Sequence, residues 1–75
     1  MDRFVRIAMH PEIMGGKPCI RGTRVTVGSI VGQIAAGRTI DQILADFPYI
    51  AREDVSEALR YAAWRAEERE ITLGE

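Results

Sequence analysis

The stretch from Thr39 to Val55, TIDQILADFPYIAREDV, constrains this chain more than any other. Thr39 with Gln42 three residues later has the form of a capping box, in which each side chain satisfies a backbone N–H of the other residue. Apolar residues then recur at Ile40, Ile43, Leu44 and Phe47, one face of a short helix over 40–47. Pro48 stops it, because proline disfavours the α conformation in the residue before it. Three residues intervene before Arg52-Glu53-Asp54 opens a longer helix over 52–69, with Val55, Ala58, Leu59, Ala62 and Ala66 as its apolar positions. Two amphipathic helices around so short a corner predict a helix-turn-helix unit. Any small three-helix bundle contains such a corner, so the rest of the chain has to decide whether it reads nucleic acid.

Upstream, Thr26 is placed to cap a helix over 27–36, with Val27, Ile30, Val31, Ile34 and Ala35 on its inner face and Gly37 just past its end. Before it the chain is punctuated rather than periodic. Arg3 to Ile7 suits a short strand that ends at His10-Pro11, and Gly15-Gly16-Lys17-Pro18 reads as a loop. Pro18-Cys19-Ile20 leans towards β structure, and Arg21-Gly22-Thr23-Arg24 is a turn in which Gly22 supplies a positive φ. The fold expected is therefore mainly α: a three-helix helix-turn-helix bundle (26–70) with a short N-terminal β arm (1–25) and a tail (71–75). Glu67, Glu68 and Glu70 stand where the helix dipole disfavours negative charge, so fraying is expected at that end.

Seventy-five residues make one domain with a modest core, and pairing with a second copy is an inexpensive way to enlarge such a core. A homodimer is accordingly expected, with residues 3–7 and 18–20 pairing within or across subunits. The single cysteine, Cys19, rules out an internal disulfide. No leader pattern and no apolar run of membrane length is seen, so no membrane partner and a cytoplasmic location are expected.

The net charge of −1 hides an asymmetry. Residues 1–24 carry Arg3, Arg6, Lys17, Arg21 and Arg24 against Asp2 and Glu12, a balance of +3; residues 25–75 carry five arginines against nine acids, a balance of −4. One half suits phosphate and the other suits solvent or a basic partner. Lys17, Arg21 and Arg24 cluster around glycine turns, either as solvated loop charges or as phosphate contacts. Tyr61 and Trp64 lie off the apolar stripe of their helix and pack either at the core's edge or on another chain. Glu53, Asp54 and Glu57 complement the positive end of the last helix, which is sufficient reason for them.

Catalytic patterns are not met. A phosphate loop built on Gly16-Lys17 would need glycine where Pro11 sits and Ser or Thr where Pro18 sits. Cys19 between Pro18 and Ile20 reads as a small buried hydrophobe, and His10, the only histidine, reads as a turn residue. One Cys and one His do not make a zinc site. No enzyme activity, cofactor or metal is expected.

The motifs GGKPCIRGTR, AAGRT, DFPY and EDVSEALRYA together resemble the signature of the small bacterial family called domain of unknown function 433, along about nine-tenths of the chain. That resemblance implies a helix-turn-helix, VapB-type antitoxin of a type II toxin-antitoxin module. Such a protein neutralises a PIN-like ribonuclease toxin encoded beside it and binds its own promoter as a repressor. On that view Lys17, Arg21 and Arg24 meet the phosphates of duplex DNA, while Arg52, Ser56 and Arg60 lie nearest the base edges. Trp64, Arg65, Arg69, Ile71 and Leu73 would face the toxin, with Arg65 and Arg69 pairing to its metal-holding carboxylates. The family usually has Ser or Thr where this chain has Ala51, and the acidic start of the last helix meets a phosphate field poorly. The basic arm is thus the stronger candidate for DNA, and the alternative is a protein–protein interaction module whose helix-turn-helix is structural.

Overall fold

The computed structural model describes residues 3–70, with side chains described through residue 67. Each expected helix forms, and each is bounded by the signals that predict it. Helix α1 spans Val27–Ala35, and Thr26 caps it by accepting from the Ser29 N–H at 3.0 Å. At its end Gly37 takes φ +96, donating to the Ile34 carbonyl while Arg38 donates to that of Gln33. This pair of bonds closes the helix in a Schellman motif, and the left-handed residue explains the glycine.

Helix α2 spans Ile40–Asp46 with both halves of the capping box present. The Gln42 N–H donates to the Thr39 hydroxyl at 3.1 Å, and the Thr39 N–H donates to the Gln42 amide oxygen at 2.9 Å. It ends at Phe47, before Pro48, and residues 47–51 turn the chain into α3, Arg52–Glu70. Ala51 lacks a capping hydroxyl, but Asp54 accepts from the Ala51 N–H at 2.8 Å. The reciprocal half of a capping box thus survives and offsets part of the missing cap.

The N-terminal arm forms a two-stranded antiparallel sheet. Strand β1 (Ile7–Ala8) pairs with β2 (Cys19–Ile20) in the register Ile7 to Ile20 and Ala8 to Cys19. The strand is shifted from the expected 3–7. Phe4 is drawn into the core, and a turn closed by the Ile7 N–H on the Phe4 carbonyl at 3.0 Å replaces the start of the strand. The arm's two strands pair with each other within the chain. A 3₁₀ turn at Met14–Gly16 occupies the loop between the strands.

The core sits where α1 crosses α3, with α2 closing one side and the sheet the other. Ile7, Ile30, Ile43 and Val55 are completely enclosed, one from each layer. Tyr61 is buried too, although it stands off the helical stripe. The arm supplies the reason: Phe4 meets the Tyr61 ring edge-on at 5.3 Å and Trp64 at 5.5 Å, so the arm widens the apolar face of α3. No helix among the described residues is long and apolar enough to cross a membrane.

Candidate nucleic-acid interface

After β2 the chain doubles back on itself. Cys19 bridges Thr26, the Ile20 N–H donates to the Val25 carbonyl at 2.9 Å, and the Val27 N–H donates to that of Pro18 at 2.9 Å. Residues 18–20 and 25–27 therefore make a tight ribbon that runs directly into α1. Its turn needs Gly22 at φ +82 and is tied by Thr23, whose hydroxyl donates to the Ile20 carbonyl and accepts from the Val25 N–H. Ile20, Val25 and Val27 are buried, while Lys17 at the open end and Arg24 at the turn are exposed. Four residues of ribbon separate the two ends, about 13 Å.

The availability of the positive charges is what distinguishes this face. Arg6 pairs with Asp54 at 3.0 Å, Arg38 with Asp46 at 3.0 Å, Arg52 with Asp41, and Arg60 with Glu57 at 3.4 Å. Arg3 lies over the Trp64 ring, 5.5 Å from its centre. Arg21, though exposed, is tied to the arm: Nε donates to the Val5 carbonyl at 2.7 Å and the terminal nitrogen to that of Ile7 at 3.1 Å. Among the described residues, the side chains of Lys17, Arg24 and Arg65 are the cations left with no hydrogen-bond, ion-pair or cation–π partner.

Two open depressions flank the ribbon. One, lined by Lys17, Pro18, Thr26, Gly28 and Ser29, lies against the start of α1. The other is lined by Ile13, Gly22, Thr23, Arg24 and Tyr49 and joins the ribbon turn to the α2–α3 corner. Neither lining contains an acid. Beneath the second lies a small apolar cavity of about 100 Å³ bounded by Ala8, His10, Ile13, Cys19, Ile20, Gly22 and Thr23. His10 and Cys19 both border it, yet the thiol is tied up. Cys19 Sγ donates to the Lys17 carbonyl at 3.4 Å, and burial pushes its pKa up against the opposing influence of Arg24.

The start of α3 is built differently. Glu57 is buried and accepts the Arg6 backbone N–H at 2.6 Å, while Asp54 holds the Arg6 side chain. That hydrogen bond to Asp54 holds the Arg6 guanidinium above its ordinary value. Arg52 and Arg60 are exposed at the same end but already paired to carboxylates, and Ser56 is half-buried between them.

Of the six expected DNA contacts, then, the structure leaves Lys17 and Arg24 unpaired, one in each of the depressions that flank the ribbon. It gives Arg21 to the sheet and leaves Arg52, Ser56 and Arg60 on a separate, charge-balanced surface. Of the expected toxin contacts, Trp64 packs on Phe4 and Tyr61, and Arg65 is exposed. The side chain of Arg69, and Ile71 and Leu73 altogether, lie outside the described residues. Tyr49 is the feature that the sequence reading passes over. The available signal was an aromatic placed directly after the helix-stopping Pro48, in a corner too short to bury it.

A three-helix domain capped by a β ribbon that ends at an unpaired basic edge defines the class. Residues 7–62 match the family designated protein of unknown function (DUF433), and the chain belongs to that family. It is similar to the uncharacterized protein y4eO of Sinorhizobium fredii (strain NBRC 101917 / NGR234), 36% identical over 56 residues. That match takes in 75% of this chain and 25% of the other, so the chain spans about a quarter of the length of this relative. Its fold is also similar to the crystal structure of a DUF433 member protein from Anabaena variabilis ATCC 29413. There the TM-score is 0.78 at 28% identity, covering 93% of this chain and 69% of that one.

Proposed function

We propose that the protein is a nucleic-acid-binding antitoxin: a repressor that binds its own promoter duplex and neutralises a PIN-like ribonuclease, acting by binding and not by catalysis. The observation that carries the nucleic-acid half is that Lys17 and Arg24 each stand unpaired in an acid-free depression beside the ribbon, when Arg6, Arg38, Arg52 and Arg60 are paired to carboxylates. Phosphate contacts need cations that are free to exchange counterions for the ligand, and these two are. The toxin half follows from the antitoxin character that the family resemblance implies, with Arg65 exposed on α3. A homodimer would present two such basic edges, one for each half-site.

The salt dependence of promoter binding tests this reading. Each phosphate contact contributes about 0.9 to the slope of log affinity against log salt. Removing Lys17 and Arg24 together should therefore flatten the slope by about 1.8 for each chain bound, which is about 3.6 for a homodimer on two half-sites.

The second reading, an interaction module with a structural helix-turn-helix, is favoured by the start of α3. Its two exposed arginines are paired to carboxylates, and Glu53 is exposed beside them. Absence of any duplex binding at low salt, with a partner nuclease still captured, would select it.

A further inference from the structure

We propose that the depression between the ribbon turn and the α2–α3 corner takes one unpaired nucleotide adjoining the bound duplex, its base against Tyr49 and its phosphate on Arg24. This rests on the reading above that the ribbon face meets nucleic acid. Tyr49 is 66% exposed, more than any other large apolar side chain among the described residues. It meets Phe47 at 6.2 Å with the rings 69° apart, so the ring is braced without being covered. Across the depression, which has a volume of about 440 Å³, stands the unpartnered Arg24. The turn that carries Arg24 is held rigid by the two Thr23 hydrogen bonds.

A flat exposed aromatic beside a free guanidinium is the pairing that stacks a base and holds its phosphate. Stacking needs the face of a base, which duplex neighbours cover, so the occupant is an unpaired nucleotide. A protein partner fits less well. Apart from Tyr49 and Ile13 the lining is small or polar, and it offers no deep pocket for an anchoring side chain. The positive charge also continues along the ribbon to Lys17, as suits a polyanion.

The test compares a blunt promoter duplex with the same duplex carrying a short thymidine overhang, titrated by fluorescence anisotropy at low salt. The overhang should tighten binding by the full chain about tenfold or more. That increment should vanish in Tyr49→Ala and persist in Tyr49→Phe, and neither variant should alter the salt slope on the blunt duplex. Equal affinity for the two duplexes, an increment that survives in Tyr49→Ala, or one lost in Tyr49→Phe overturns the nucleotide site. If the blunt duplex binds with a slope that depends on Lys17 and Arg24 while the overhang adds nothing, only this site fails. If neither duplex binds, the nucleic-acid reading falls with it.

Discussion

The start of α3 and the edge of the ribbon carry the same kinds of side chain and put them to opposite uses. At α3, Arg6, Arg52 and Arg60 face Asp54, Asp41 and Glu57, so the charge is consumed in holding the arm and the corner in place. At the ribbon, Lys17 and Arg24 have no carboxylate within reach among the described residues, and the backbone is held by hydrogen bonds that do not involve them. One basic region is structural and the other is available. Counting arginines along a sequence cannot separate the two, because availability depends on partners many positions away.

The largest effect should come from breaking the tie between arm and helix. Phe4→Ala removes the ring that packs on Tyr61 and Trp64, and about 3 kcal/mol of stability should go with it, measured by urea unfolding. If the midpoint scarcely moves, the arm is not part of the core and the contrast drawn here collapses. Next is Glu57→Ala, which leaves the Arg6 backbone N–H buried without its acceptor and should cost about 2 kcal/mol. Glu57→Gln, which keeps an acceptor, should recover most of that loss. Phe4→Ala should leave the salt slope for duplex binding unchanged, since it touches none of the ribbon cations.

Arg21→Ala sharpens the comparison from the other side. Its two bonds to the Val5 and Ile7 carbonyls predict a loss of about 1 kcal/mol in stability and no change in slope. A slope change with unaltered stability would return Arg21 to the phosphate-contacting group. The smallest effect is the pH response of Cys19. Burial raises its pKa, so the folded chain holds the thiol proton more tightly than the unfolded one. That contribution is complete below the ordinary thiol value of 9.0 and is lost as pH climbs above it. The fall in the urea midpoint above that pH should be shallower in Cys19→Ala than in the parent.

The helices could be read from the sequence because their signals are local. Thr26, Thr39 with Gln42, Gly37 and Pro48 each fix a boundary through neighbours within four residues. The turn at Gly22 was legible for the same reason. What stayed open or shifted was set by distant contacts. Tyr61 became core because Phe4, 57 positions earlier, covers it, and β1 moved because that same Phe4 left the strand. The candidate site was half legible. Lys17 and Arg24 stand out as basic residues at glycine turns, but nothing local says that Arg21 bonds to the arm's carbonyls while they stay unpaired. Nor does anything local say that Tyr49 faces Arg24 across a depression.

The contrast between the two basic regions is tested most directly by duplex binding across a salt titration, comparing Lys17→Ala/Arg24→Ala with Arg52→Ala/Arg60→Ala. The first pair should flatten the log-affinity against log-salt slope by about 1.8 for each chain bound, while the second leaves it within error of the parent. The reverse result, with the slope insensitive to the ribbon pair and flattened by the α3 pair, would contradict that contrast.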